Sequence, residues 1–258
     1  MAGVQQSKTR QVYLVLRDRI QGCRLDHCAA LPAEQTLAAE YNVSRVTVRR
    51  ALAELEQEGL ISRRRGAGTF VLGTTAKPIV ADFTDVLANL VAMGRASAVR
   101  LLAFDYRAPS PAIAAALKLA ADEKTQFSVR VRLIDGLPFS HLTTHVPQRI
   151  GLTYTEADLA ARPLLSLLER SGVQIERAVQ QLTAVLATPE VAAALDVEIG
   201  SALLGTTRTV FAADGSGVEH LSALYRPDRY ALHMEMVRTE AAGVRRWATV
   251  PTSTRKAS

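Results

Sequence analysis

What this chain lacks narrows it early. It has two cysteines, Cys23 and Cys28, in 258 residues, too few for a disulfide framework. With His27 between them they form an incomplete metal set, and their spacing fits no zinc pattern. They read as free thiols in a reducing compartment, with a redox switch as the alternative. No apolar run approaches the roughly 18 residues that a membrane helix needs. The polar start, MAGVQQSKTR, has no signal-peptide core, so a soluble, cytoplasmic chain without membrane contact is expected. A phosphate-cradling glycine loop, a dinucleotide fingerprint, a nucleophile elbow and a Cys-x-x-Cys pair are all missing. No catalytic residue, cofactor or metal is therefore expected. No coiled-coil seam is visible either.

What is present is an apolar content of 48%, enough for one or two good cores, and an uneven charge. Residues 1–75 carry 11 Lys and Arg against 7 Asp and Glu, while the remaining 183 carry 20 against 18. The basic surplus lies in the first third of the chain. Lys and Arg there suit phosphate contacts, whose affinity falls steeply with salt.

That first third contains one ordered set of signals, LPAEQTLAAEYNVSRVTVRRALAELEQEGLISRRRGAGTFV over residues 31–71. Leu31-Pro32 halts the preceding segment, and Ala33 to Tyr41 has helical composition with Leu37 and Tyr41 on one face. Asn42-Val43 supplies a turn, because Asn tolerates unusual backbone angles. Ser44 is a natural N-cap for the next helix, in which Val48, Ala51, Leu52 and Leu55 recur at helical spacing. Arg45 and Arg49 share a different stripe, flanked by Thr47 and Arg50. An arginine at such a position can bond a guanine edge bidentately. After Gly59 the pattern becomes extended: three arginines, Arg63 to Arg65, then Gly66-Ala67-Gly68, then Thr69-Phe70-Val71. Glycines permit a tight hairpin, and arginines beside its tip suit phosphates or a narrow minor groove.

This stretch resembles the winged helix-turn-helix domain of the GntR family of bacterial transcription regulators, with Thr9 to Gln21 matching its first helix. The resemblance implies DNA contacts from Arg45, Thr47 and Arg49, with Gly66 at the wing tip. Ala33 and Gln35 depart from residues that many relatives carry there, whereas Glu34 keeps the pattern. The candidate DNA-contacting set is Glu34, Ser44, Arg45, Thr47, Arg49, Arg50, Arg64, Arg65 and Gly66.

Leu72 to Pro78 lacks periodicity and carries Gly and Pro, so it reads as a linker. The expected division is a DNA-binding domain over 1–72, a linker over 73–80, a second domain over 81–245 and a disordered tail over 246–258. In the second domain, Ala96 to Tyr106 is extended, and Ser110-Pro111 opens a helix. Gln126 to Ile134 alternates as a half-buried strand does, and Asp135-Gly136 turns it into Leu137 to Val146. Helical patterns follow at Thr155–Leu159 and Pro163–Ser171. Ile175 to Ala187 reads as a long strand, with helix left open by its Ala and Gln content. Thr188-Pro189 starts another helix. Strands are then expected over Ala202–Ala212 and Val218–Tyr225, and near Ala231–Val237. The pattern predicts an α+β domain on an antiparallel sheet.

RVRLIDGLPFSHLTTHVP, LLSLLERSGVQI, TPEVAAALDV and DGSGVEHLSALYRPDRYALHMEMVR resemble the UTRA effector-binding domain of the HutC subfamily of GntR regulators. That implies a chorismate-lyase-like fold, a small-molecule effector and a homodimer. Arg130 and Arg132 match strand arginines of that domain, Glu219 its acid before the last hairpin strand, and Tyr225 the Tyr of its Tyr-Arg pair. Two apart on a strand, Arg130 and Arg132 point to one face and suit a carboxylate or phosphate, or else an ion pair with Glu219. Phe83 and Thr84 fall in a loop that can touch the effector or cap the following helix. Pro163 stands where phosphosugar-binding relatives usually offer Ser, which leaves an organic acid or amino-acid catabolite open. His141 and His145 share a strand face without a third ligand near in sequence and read as structural or surface residues. The run Arg226 to Tyr230 reads as strand-end scaffolding.

The expected protein is a sequence-specific, effector-responsive regulator, a repressor on a near-palindromic double-stranded operator. A small-acid lyase with secondary DNA binding is the alternative, and a non-specific basic DNA binder a third.

Overall fold

The computed structural model describes residues 7–21, 30–64, 68–72, 79–82, 97–241 and 244–249. Cys23, His27, Cys28, Arg65, Gly66, Phe83 and Thr84 lie outside these residues, as does most of the expected linker. The chain divides into two compact units, Met1–Lys77 and Pro78–Ser258.

The first unit holds α1 (Lys8–Gln21), α2 (Glu34–Glu40) and α3 (Arg45–Gln57), then a hairpin of β1 (Ile61–Arg64) and β2 (Gly68–Val71). Asn42 takes a left-handed φ of 50° to turn the chain between α2 and α3. Ser44 caps α3 by accepting a bond from the Thr47 N–H at 3.1 Å. At the other end Gly59, at φ 70°, ends the helix, and the Leu60 and Gly59 N–H groups bond back to Leu55 and Glu56 carbonyls. That pair of bonds is the glycine-terminated stop in which both orphan carbonyls find donors. Val48, Ala51, Leu52 and Leu55 of α3 are all buried, against Val12, Tyr13 and Leu16 of α1 and Leu37 of α2. Each such leucine contributes about 1.5–3 kcal/mol of burial, so the three helices hold one core. Ile61 and Val71 join it and fix the base of the hairpin.

In the second unit β3 (Ile79–Asp82) and β4 (Ala98–Arg107) precede α4 (Pro111–Leu117), β5 (Thr125–Ile134) and β6 (Leu137–Pro147). Three short helices follow, α5 (Gln148–Gly151), α6 (Glu156–Ala161) and α7 (Leu164–Arg170). Then come β7 (Ile175–Leu186), α8 (Pro189–Leu195), β8 (Ala202–Ala212), β9 (Gly217–Tyr225), β10 (Tyr230–His233), β11 (Met236–Ala241) and β12 (Val244–Thr249). Six strands form one antiparallel sheet in the order β4-β5-β6-β9-β8-β7. Asp135 and Gly136, with φ of 52° and 76°, close the β5–β6 hairpin, the two successive left-handed residues that such a turn demands. Ser110 and Thr188 cap α4 and α8 through their hydroxyls, each ahead of a proline.

The sheet is covered on both faces. Leu159 of α6 and Leu164, Leu167 and Leu168 of α7 pack with Val146 and Val210 on one side. On the other, Val191, Ala192 and Leu195 of α8 pack with Val131 and Leu203. Leaving β7 at the edge keeps Val179, Leu182 and Leu186 exposed, at 53%, 37% and 69%.

Two expectations about the C-terminal end are corrected. The single strand expected near Ala231–Val237 is two: β10 pairs in parallel with β3, and β11 starts at Met236. Residues 246–249, expected within a disordered tail, belong to β12, which pairs with β11 from Met236↔Thr249 to Ala241↔Val244. The composition of β12, VRRWAT, includes β-branched and aromatic residues, which fit a strand once a partner is supplied. Reading a strand by its own alternation names neither its partner nor its sheet.

Candidate nucleic-acid interface and ligand pocket

In the first unit α3 exposes Arg45, Arg49 and Arg50, with Thr47 half-buried beside them. The Ser44 and Thr47 hydroxyls lie 2.8 Å apart. Arg45 and Arg50 make no hydrogen bond or ion pair among the described residues. Glu34, at the first turn of α2, organises the rest. Its carboxylate accepts from Arg49 Nη2 at 3.0 Å and from Arg63 Nη2 at 2.6 Å. The Arg49 hydrogen bond, opposed by partial burial and aided by the charges of Arg49, Arg63 and Arg45, holds this carboxyl below the usual carboxylate range. Arg49 is raised in turn, chiefly by the same bond. Glu34 and Ser44 therefore stand at the expected surface, but their oxygens serve the protein itself.

Arg63, left out of the candidate set, ties the wing to α2 through Glu34. Arg64 is exposed on the wing with its guanidinium 5.3 Å from the Phe70 ring centroid. Gly68, at φ 112°, needs glycine's freedom where the second wing strand begins. Such a helix with an arginine hairpin beside it can place side chains in a major groove and against phosphates.

The second unit holds a pocket built on one face of the sheet. Cross-strand register places Arg132 opposite Ser140 and Ser140 opposite Tyr225. One step along, Arg130 faces Leu142, and Leu142 faces Ala223. Arg208 and Leu221 form the next pair, with Glu219 on the adjoining rung. Pro163, Leu164 and Leu165 close the space from above, leaving a cavity of about 40 Å³. Arg130, Arg132, Arg208 and Glu219 are 2%, 8%, 6% and 3% exposed.

Three buried arginines thus stand against one buried carboxylate. Glu219 pairs with Arg208 at 3.6 Å, and not with Arg130 or Arg132, the ion pair that the sequence left open as the alternative to a ligand site. Arg132 Nη1 donates to Ser97 Oγ at 3.0 Å. Arg130 Nε and Nη1, Arg208 Nε and Ser140 Oγ have no hydrogen-bond partner among the described residues. Burial, and then the neighbouring Arg132 charge, bring the Arg130 pKa down to about 10. The group still carries its charge at neutral pH. Arg132 is lowered by burial as well, and the buried Tyr225 hydroxyl is raised. Uncompensated buried cations are strongly unfavourable, so this cavity is complementary to an anion.

Arg208 is the charged pocket residue that sequence reasoning missed, along with the apolar Leu142, Leu164, Leu165 and Leu221. A lone arginine in an otherwise apolar and threonine-rich strand, one turn away from Glu219 in the β8–β9 hairpin, was the available signal. Pro163 lines the pocket at the start of α7 and provides no side-chain cap. Arg226 bonds Asp228 and the Leu195 and Asp196 carbonyls, which anchors the end of β9 to α8 as scaffolding.

A winged helix-turn-helix joined to a domain with a buried polar pocket defines a ligand-responsive DNA-binding regulator. Residues 8–71 match the model of the bacterial regulatory proteins of the gntR family, and residues 92–231 match the UTRA domain. The chain belongs to the GntR family of transcription regulators, in its HutC subfamily, and its UTRA domain is an effector-binding domain. It is 28% identical over 220 residues to the HTH-type transcriptional repressor NagR of Bacillus subtilis, covering 85% of this chain and 90% of that one. To the HTH-type transcriptional regulator Rv0792c of Mycobacterium tuberculosis it is 30% identical over 240 residues, covering 89% and 86%. The crystal structure of the possible regulator YydK from Bacillus subtilis shares the fold, with a TM-score of 0.55 at 23% identity, covering 89% of this chain and 99% of that chain. These relatives are regulators, not enzymes, and the lyase alternative finds no support among them. No helix among the described residues is long and apolar enough to cross a membrane.

Proposed function

We propose that the protein is a homodimeric, cytoplasmic repressor that binds a near-palindromic double-stranded operator and is released by a small anionic metabolite. The observation that carries the effector's chemistry is the buried excess of three arginines over one glutamate, with guanidinium donors of Arg130 and Arg208 lacking partners. A phosphate or a dicarboxylate supplies two negative charges and the acceptor geometry that guanidinium forks match. Arg130, Arg132, Arg208 and Glu219 line the site with Tyr225; we place Phe83 and Thr84 beside it on the family resemblance alone. The word repressor in the name of the NagR relative supports the sign of regulation.

At the operator, Arg45, Arg49 and Thr47 read base edges, Arg50, Arg64, Arg65 and Gly66 meet the backbone, and Glu34 and Ser44 position them. Dimerisation is supported by the edge strand β7, whose outer backbone has no partner strand among the described residues and whose exposed Val179, Leu182 and Leu186 suit a second copy. A two-fold protein matches a two-fold operator. Effector binding alters the spacing of the two readers, a coupling of about 1–3 kcal/mol.

Fluorescence anisotropy on the upstream intergenic DNA and on scrambled duplex, at about 150 mM salt, tests this reading. A preference of about a thousandfold or more, relieved by a phosphorylated or dicarboxylic metabolite, is expected. Equal binding to both duplexes that persists in Arg45→Ala and Arg49→Ala sinks it.

A further inference from the structure

The face of the sheet opposite the pocket carries a second constellation. His145 of β6 and His220 of β9 are direct cross-strand partners, so their side chains rise from the same face with Cβ atoms about 4.5–5.5 Å apart. The pair is set between two threonines. Thr125 Oγ1 lies 2.9 Å from His145 Nδ1 on the β5 side, and Thr209 Oγ1 lies 2.9 Å from His220 Nδ1 on the β8 side. Neither Nε2 makes a hydrogen bond among the described residues. Both rings are half-buried. Desolvation lowers both pKa values, and each ring also feels a neighbouring charge: His220 and Arg107 lower His145, Asp105 raises it, and Glu219 raises His220. Phe127 of β5 continues the row, its ring tilted 5.1 Å from His145, with Arg107 3.8 Å over it and paired to Asp105.

We propose that His145 and His220 form a two-imidazole site for a divalent late transition metal ion. Two neutral imidazoles on adjacent strands offer Nε2 lone pairs to one ion, and Ni²⁺, Cu²⁺ and Zn²⁺ are the ions that imidazole suits. A threonine hydroxyl beside Nδ1 can accept from Nδ1–H, which is the tautomer that leaves the Nε2 lone pair free for an ion, and it orients the ring. Here both rings have one, from opposite flanks. Water completes the coordination sphere, since the row is half-open. The Asp105 carboxylate, already paired with Arg107, balances the cation on this row and leaves the two histidines as the protein ligands. Because Glu219 immediately precedes His220, an ion held here acts on the strand that carries a pocket residue on its other face.

The test is calorimetric titration of NiCl₂ into untagged full-length protein carrying Cys23→Ser and Cys28→Ser, which removes competing thiols. One ion per chain with micromolar affinity is expected. His145→Ala and His220→Ala each weaken it by about tenfold or more, whereas His141→Ala, four residues along the same strand, leaves it unchanged. Thermal melts show whether each variant folds. Should either fail to fold, Cu²⁺ electron paramagnetic resonance of the histidine-intact chain reads the ligands directly, and two nitrogen donors are expected. Undiminished binding in the two variants, an equal loss in His141→Ala, fewer than two nitrogen donors, or no saturable binding overturns the proposal.

Discussion

Glu34 Oε2 lies 3.0 Å from Arg49 Nη2, tying the first turn of α2 to the exposed stripe of α3. Arg63 reaches the other carboxylate oxygen, so one acid sets the direction of two arginines from two elements. A carboxylate at a surface meant for DNA repels phosphate, unless its charge is consumed by cations that it aligns.

Replacing Glu34 by Gln therefore weakens operator binding although it removes a negative charge. Partly exposed ion pairs contribute about 0.2–1 kcal/mol, which predicts a loss of a few-fold in anisotropy titrations. The pH dependence has a definite sign. The folded-state pKa is lowered, so the stability from Glu34 is fully present above the ordinary carboxylate range and is lost as pH falls through the depressed value. Acid melts of Glu34→Gln should lack that component. Tighter operator binding in this variant contradicts the positioning role.

Arg45→Ala and Arg64→Ala separate base reading from backbone contact. Arg45→Ala should cost about 1–3 kcal/mol on the operator and relax preference at one base position. Arg64→Ala should weaken binding evenly across sequences and reduce the salt slope by about 1. Competition titrations with single-base operator variants, repeated over a salt series, distinguish the two patterns.

Arg130→Met tests the buried charge. Replacing an uncompensated buried cation with an apolar side chain of similar reach should raise the thermal midpoint of the ligand-free protein, by about 1–4 kcal/mol of stability. The same variant should keep operator affinity and lose release by anionic metabolites. A lowered midpoint with release intact shows that Arg130 is satisfied structurally and does not meet the effector.

Gly217→Ala probes the seat of α4 on the sheet. A Cβ at Gly217 falls 2.4 Å from the Leu117 carbonyl oxygen and 2.5 Å from its Cα, and backbone cannot swing aside as a side chain does. Overpacking of this kind costs about 1–3 kcal/mol or more. Urea denaturation should show a lowered midpoint, while Gly136→Ala, strained only by its φ of 76° with open space around it, loses less.

Much of the DNA reader was legible because its determinants are local. Ser44 as cap, Asn42 as turn and the Val48–Leu55 stripe depend on neighbours within one or two turns of chain. The Asp135-Gly136 hairpin was legible for the same reason, since two left-handed residues between alternating runs dictate the turn and its first rungs, whereas the register shift between Arg132 and Leu133 that sets Arg132 opposite Ser140 was not. The pocket was half legible: parity puts Arg130 and Arg132 on one face without any partner strand. Arg208 needed the β8–β9 pairing as well, and Glu219's choice of Arg208 needed the packed sheet.

The same distinction separates the two histidine pairs. His141 and His145 were visible four residues apart on one strand, but the partner that matters, His220, comes from a strand 75 positions later in the chain. The split of the last strand into β10 and β11, and the pairing of β12, turned likewise on which edge each segment could reach. Amino-acid order by itself determined the caps, turns, buried stripes and the faces on which charges stand, because backbone sterics and periodicity act over a few residues. Which charges and rings meet was decided only by the tertiary structure, since pairing between distant strands is set by the closure of the whole sheet.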